Sequence, residues 1–427
     1  MKYFLVPLGC ATNKADTERI ASVLESIGYS SALCEDEADC LGIVACSIRQ
    51  SAIDRVIGRA RNWNIRKNKE DITTFVSGCV LPEDEKRFLE SFDFVVKLSE
   101  VNKLPQLLQQ SGACTSENFW DIEPSRTSPF KALVPIQNGC DKFCTYCAVP
   151  YTRGRQVSRP SKEILNEVKS LIKQGYKQIT LLGQNVNAYG LDKPEEELSF
   201  AGLLEQIGQL GDSASHKIWI HYTSPHPQDM VEEVFQVQAK HDCLADYLNF
   251  PLQSGDDEVL KRMNRRHTVE EYFDLLSLAR RHMPDLTVST DFIVGFCGES
   301  EEQFEQTKEA LRRGKYDMAY IAQYSPRPGA VAEKRLVDDV SKTDKKRRDI
   351  ELTEVLKETA LRKNKEMIEK TVPVLVESVS RKPGKLIGRT QGLKSVEFES
   401  NNTDLIGQFI DVKITDCDPW RLFGECK

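Results

Sequence analysis

Short apolar runs alternate with helical patterns from Lys2 to Tyr324, and few folds accept that order. Lys2–Leu8 is strand-like, and Asp16–Ile27 follows with helical spacing that stops at Gly28. Leu41–Ala45 and Thr73–Ser77 are apolar runs of the kind that fill buried strands. Parallel strands need a crossover, usually a helix, so this alternation predicts a parallel sheet. A Rossmann-like parallel α/β domain is expected over residues 1–118. Residues 112–130, with Pro124, Ser125, Ser128 and Pro129, read as a linker. The alternation then resumes with Lys131–Gln137, Gln178–Leu182, Lys217–Tyr222, Tyr247–Leu252, Leu286–Val294 and Met318–Tyr324. Right-handed crossovers curl such a set into a partial (β/α)6 barrel, here expected over 126–362, with functional residues at the strands' carboxyl ends. Beyond Val372 the pattern changes to short strands at Pro373–Val379, Leu386–Thr390, Ser395–Glu399 and Gln408–Thr415. A small all-β barrel is expected over 366–427.

Cysteine is the second constraint. The chain has 13 cysteines in 427 residues. An odd count suits a complete disulfide framework poorly, and clustered cysteines in a reducing compartment act as metal ligands or redox groups. Residues 140–147 read CDKFCTYC, which sets Cys140, Cys144 and Cys147 on one tight loop directly after a predicted strand. A four-iron cluster takes one thiolate per iron, so three cysteines leave one iron open to a small ligand. Rival readings fit less well. A zinc knuckle adds a second CxxC or histidines, and the first histidine after the loop is His216. A thioredoxin-type CxxC would leave Cys140 surplus. A ferredoxin loop supplies a fourth cysteine, and none follows soon after Cys147. Cys10, Cys46 and Cys79 stand just past the ends of three predicted strands, where ligands of open α/β sheets gather. Taken alone, they could share a metal or merely pack as small hydrophobes.

These segments also carry a resemblance. IQNGCDKFCTYCAVPYTRGRQVSRP resembles the cluster loop of the methylthiotransferase branch of the radical SAM superfamily. LLGQNVNAYG, TSPHP, FPLQSGDDEVLKRMNRRHT, DFIVGFCGESEEQF and YSPRPGA look like the same branch, as do GCATNKADTE, ACSIRQSA and SGCV near the N-terminus. The segment with GRTQGLKSVEFE looks like a TRAM domain, a small RNA-binding barrel. The resemblance implies a [4Fe-4S] cluster on Cys140, Cys144 and Cys147 that binds and reductively cleaves S-adenosylmethionine (SAM). It implies a second, auxiliary [4Fe-4S] cluster on Cys10, Cys46 and Cys79, with SAM serving both as methyl donor and as radical source. Tyr146 would pack near the SAM adenine. Gly183, Gln184, Asn185, Ser224, Gln253 and Ser254 would line the SAM site at strand ends. The sequence departs from the branch at Ala11-Thr12-Asn13, where Met usually precedes Asn, and at Val44-Ala45, where Asn-Thr is usual. Neither change removes a ligand. Of the other cysteines, only Cys40 was close enough in sequence to Cys46 to be a rival for iron.

The expected activity is methylthiolation of carbon 2 of N6-isopentenyladenosine next to a tRNA anticodon, which TSPHP and YSPRPGA favour. Threonylcarbamoyl-adenosine or a ribosomal-protein aspartate is the alternative acceptor. An RNA-binding iron–sulfur protein without turnover is the alternative of a different class, and retention of Tyr146 and the SAM-side loops argues against it. The net charge of −7 requires any RNA-facing Lys and Arg to be concentrated locally. Arg153, Arg155 and Arg159, then Lys261, Arg262, Arg265 and Arg266, are candidates for phosphate contact. Lys345, Lys346, Arg347 and Arg348 lie in a charged stretch that reads either as a solvated helix or as a phosphate grip. The acceptor base would have to be flipped out of an anticodon stem-loop. An electron donor such as flavodoxin or ferredoxin is expected, with a monomeric, cytoplasmic enzyme. No apolar run reaches the ~18 residues of a membrane span, so no membrane partner is expected.

Overall fold

The computed structural model describes residues 1–46, 50–109 and 119–426. Residues 112–118 of the expected linker, Cys114 and the centre of ACSIRQSA lie outside the described residues. The chain divides into two compact units.

The first unit comprises 1–128, 138–159 and 325–335. Its strands are β1 (Lys2–Leu8), β2 (Ser30–Ser31), β3 (Cys40–Cys46), β4 (Thr73–Cys79) and β5 (Phe94–Lys97). They form one sheet in the order β2-β1-β3-β4-β5, parallel throughout. The helices include α1 (Ala11–Ser26), α2 (Gln50–Lys67), α3 (Pro82–Leu89) and α4 (Val149–Arg153). Every residue of β3 is buried, as in a parallel strand covered on both faces. Leu41, Ile43 and Ala45 pack with Ile53, Val56 and Trp63, whereas Cys40 and Val44 pack with Ile20, Val23 and Leu24. Strand period 2 thus sends alternate residues to two helical layers.

The second unit comprises 129–137, 160–324 and 336–427. Strands β6 (Lys131–Pro135), β7 (Gln178–Leu182) and β8 (Trp219–Tyr222) form one parallel sheet, and β9 (Tyr247–Asn249), β10 (Thr287–Val294) and β11 (Met318–Gln323) form another. A parallel bridge between Ile220 and Leu244 links them into a curved run of six strands. Helices α5 (Ser161–Lys173), α6 (Phe200–Asp212), α7 (Glu232–Lys240), α8 (Val269–His282) and α9 (Glu301–Gly314) cover the outside. This is the open barrel expected from the strand–helix alternation.

Helix α10 (Lys342–Lys365) is not the fully solvated rod of the simpler reading, because Leu352, Val355 and Leu356 bury one face in the barrel core. Nor do its cations form a phosphate grip. Lys345 pairs with Asp338, Arg347 with Glu301 and Glu351, and Arg348 with Glu299 and Glu301. Only Lys346 of the four is exposed.

The C-terminal barrel closes through β12 (Thr371–Val379), β13 (Lys385–Arg389), β14 (Ser395–Glu399), β15 (Phe409–Cys417) and β16 (Arg421–Cys426). Their order is β12-β13-β14-β16-β15. The sequence pattern predicted four of these strands. The fifth, β16, pairs antiparallel with β15 across the turn at 418–421 and in parallel with β14, far away in the chain. Among the described residues, no helix is long and apolar enough to cross a membrane.

Candidate functional site

The carboxyl edge of the first unit's sheet gathers three sulfurs. Cys46 and Cys79 end β3 and β4 and are directly paired in register. Cys10 precedes α1 as its N-cap, a place where the helix N-terminus favours a thiolate. Asn13 lies among them. Its Oδ1 accepts from the Cys10 N–H at 3.2 Å and from the Cys10 thiol at 3.4 Å. Its Nδ2 donates to the Ala45 carbonyl at 3.0 Å and lies 3.7 Å from the Cys79 sulfur. This asparagine, fully buried, was not singled out from the sequence. Cys40 lies at the opposite end of the seven-residue β3, about 20 Å from Cys46 at ~3.3 Å per residue, so it does not compete for iron.

Gly9 makes room for this arrangement. A methyl group there would stand 2.1 Å from Asn13 Oδ1 and 3.0 Å from Cys46 Cβ. Gly9→Ala is expected to push Asn13 out of place. Iron uptake on anaerobic reconstitution should fall while the far-UV circular dichroism stays unchanged; full iron uptake would contradict this account.

The loop bearing Cys140, Cys144 and Cys147 belongs to the same unit. The Cys140 N–H donates to the Gly154 carbonyl at 3.3 Å and the Cys147 N–H to the Cys144 carbonyl at 2.9 Å. Gly139 has φ +77°, and a Cβ there would collide with the Arg155 carbonyl at 2.1 Å, so only glycine closes this loop. Cys144 is buried, while Cys140 and Cys147 are partly open. Burial pushes the Cys140 thiol up to about 11, and it also raises Cys79. Tyr146 is partly exposed.

No disulfide joins the described cysteines. Among the described residues, no group of three or more His, Cys, Asp or Glu closes on a single metal ion. A four-iron cluster is larger than an ion, and three thiolates would hold three of its irons and leave the fourth open. Three thiols in each triad are a donor set that fits a [4Fe-4S] cluster.

Arg153, at the end of α4, is not a phosphate contact. Its side chain is 2% exposed and its guanidinium pairs with Asp16. Arg155 is exposed but pairs with Asp141 at 2.6 Å. In the second unit Arg265 is buried and donates to the Pro251 carbonyl at 2.6 Å, and Arg262 donates to Gln303 at 3.0 Å. Lys261 and Arg266 remain on the surface.

The expected SAM residues of the second unit sit at three successive strand ends. Gly183 follows β7, and a Cβ on it would meet Gln137 Oε1 at 2.6 Å. That buried oxygen accepts from the Gln184 N–H at 3.1 Å. Asn185 donates to Asp229 at 2.7 Å, while its Oδ1 is buried without a partner among the described residues. Ser224 and Gln253 hold positive φ values of 61° and 79°, a sparsely populated region for residues other than glycine. Gln253 is held there by backbone bonds to Asp291 and Ile293. Ser254 is fully buried, and its hydroxyl meets Thr307 and the Asp256 N–H.

A cysteine loop of this spacing, with an open parallel barrel elsewhere in the chain, defines the radical SAM class. Family models agree in order along the chain: "Uncharacterized protein family UPF0004" matches residues 2–98, "Radical SAM superfamily" 134–311 and "TRAM domain" 365–427. The chain is 37% identical to the tRNA-2-methylthio-N(6)-dimethylallyladenosine synthase of Oceanobacillus iheyensis, covering 99% of this chain and 83% of that protein. It is also 37% identical to the enzyme of the same name from Bacteroides thetaiotaomicron, covering 99% and 96%. This chain belongs to the radical SAM methylthiotransferase family. Among solved structures, the radical SAM methyltransferase TsrM from Kitasatospora setae superposes with a TM-score of 0.56 at 15% identity, covering 78% of each chain. The cobalamin-dependent radical SAM enzyme OxsB gives 0.53 at 15%, covering 83% of this chain and 56% of its own. At such identity these two speak for the fold alone.

Proposed function

We propose that this protein methylthiolates carbon 2 of N6-isopentenyladenosine beside a tRNA anticodon. The observation that carries the reading is full-length likeness to enzymes named for that product, together with two cysteine triads. We assign residues 1–118 to the auxiliary-cluster domain, 126–362 to the radical SAM core and 366–427 to the RNA-binding barrel. Cys140, Cys144 and Cys147 would hold one [4Fe-4S] cluster, and Cys10, Cys46 and Cys79 the other. When bound, the first supplies the electron that cleaves SAM to a 5′-deoxyadenosyl radical, and the second supplies the sulfur site.

The chain's own residues position the reactants. The Asn185 Oδ1, buried without a partner among the described residues, is an acceptor suited to the methionine amine of SAM, and the backbone turns at Ser224 and Gln253 shape two further strand ends. Tyr146 would offer a ring to the adenine. The acceptor adenine comes from a single-stranded loop, where unstacking is cheap. The barrel of 366–427 would grip the RNA backbone, with the exposed Lys261, Arg266 and Lys346 as further cations. We assign the protein to the cytoplasm, as a monomer served by a flavodoxin- or ferredoxin-type donor.

Mass spectrometry of tRNA nucleosides from a deletion strain tests the substrate. Loss of the 2-methylthio isopentenyl nucleoside, with accumulation of its unthiolated precursor, is expected. If methylthiolated adenosines persist unchanged, the assignment fails.

A further inference from the structure

Arg153 makes more contacts than an ion pair requires. Its guanidinium is clamped in three directions inside the first unit. One terminal nitrogen pairs with Asp16, the other donates to Asn138 Oδ1 at 3.0 Å, and Nε donates to the Cys79 sulfur at 3.0 Å. The Arg153 carbonyl in turn accepts from Asn138 Nδ2 at 3.2 Å. Asn138 lies two residues before Cys140, and α4, which ends in Arg153, begins two residues after Cys147. One side chain therefore ties the loop of the Cys140 triad to a sulfur of the Cys79 triad. Pairing with Asp16 alone would need only terminal nitrogens; the Nε–H is committed to sulfur.

We propose that Arg153 is a positioning residue for the auxiliary cluster, donating a charged hydrogen bond to the Cys79 thiolate and raising that cluster's reduction potential. The proposal rests on the reading of Cys10, Cys46 and Cys79 as cluster ligands. The physical reason is that reduction adds negative charge to the cluster and its thiolates. A buried cation with an N–H on one sulfur favours the reduced form more than the oxidised one. Burial makes the effect larger, because a cation 2% exposed is poorly screened by water. Asp16 holds the guanidinium in place and keeps it charged despite burial. The second donor near the same sulfur, Asn13 Nδ2, is neutral and lies at 3.7 Å. Arg153 is thus a charged donor to the Cys79 sulfur.

The test uses the full chain carrying Cys140→Ala, Cys144→Ala and Cys147→Ala, so that only the auxiliary triad remains. The parent is reconstituted anaerobically with iron and sulfide and titrated by EPR-monitored potentiometry, without any activity measurement. Arg153→Gln in this background should move the midpoint to a more negative potential and alter the EPR line shape. Release of iron to a chelator should also quicken, roughly tenfold, as expected for loss of a ligand's supporting hydrogen bond. A variant with full iron and sulfide whose midpoint matches the parent overturns the proposal. Should Arg153→Gln lose its fold by circular dichroism, Arg153→Lys carries the test. Its ammonium can pair with Asp16 but lacks the three-way fork, so its midpoint should also be more negative. An unchanged midpoint there overturns the proposal equally. If the parent itself takes up no cluster, the ligand reading fails first, and that result is distinguishable because Arg153 is still present.

Discussion

Replacing Cys144 by alanine is expected to abolish SAM cleavage while leaving the fold intact. The loop around it is held by backbone groups that alanine keeps: Cys140 N–H to Gly154, Cys147 N–H to Cys144, and the Ala332 N–H to the Thr145 carbonyl at 2.8 Å. On the proposed ligand assignment the three cysteines would act as a unit, and removing one member of such a unit costs about as much as removing all of it. A loss of on the order of 10³-fold or more in 5′-deoxyadenosine formation follows. Anaerobic assay with a chemical reductant reads it by chromatography. Formation at the parent rate by the folded variant would remove this loop from the chemistry. The same substitution should leave the sheet-edge triad able to take up iron, so the variant retains part of its iron.

The second large effect concerns stability. Arg348 is 5% exposed, donates to the Glu299 carboxylate at 2.8 Å and to its carbonyl at 3.0 Å, and reaches Glu301 at 3.1 Å. The Glu299 side chain is fully buried and also accepts from the Gly295 N–H at 2.6 Å. Arg348→Ala leaves that carboxylate buried without its cation, which costs about 3–5 kcal/mol. Thermal and denaturant melts of the full chain should show the loss. Burial already raises the Glu299 pKa, against the lowering by the Gly295 N–H and Arg348. Removing Arg348 raises it further. The folded variant then binds a proton more readily than the unfolded chain, so its stability rises as pH falls through the raised value. The deficit relative to the parent should therefore shrink at acidic pH. A deficit that grows on acidification would show that Glu299 is not the group left stranded. Arg348→Ala combined with Glu299→Gln should recover part of the loss, because the stranded charge is gone.

The strand-helix alternation, the positions of both cysteine sets and the final barrel were legible in the chain because each is encoded locally. Period 2 or 3.6 in apolar residues reports which face of a segment is buried, and β1, β3 and β4 begin within a residue of the places where the pattern puts them. Cysteines after strand ends follow at once, since their place in the sheet comes with the strand. The basic residues behaved otherwise. Arg153, Arg265, Arg347 and Arg348 look alike in sequence to cations that meet phosphate, and the fold commits each of them to an internal acceptor. A charge carries no periodic signature of its partner, and Arg153 meets a sulfur 74 residues away. The same holds for the parallel pairing of β16 with β14, which closure of the barrel decides, whereas its antiparallel partner β15 is its neighbour in the chain. Sequence alone determined the order of elements and the placing of the cysteines after strand ends, which rest on local periodicity and residue type. Only the tertiary structure decided which cations are spent inside and where the Arg153 Nε–H points. Those choices depend on contacts between segments far apart in the chain, and no local free energy specifies them.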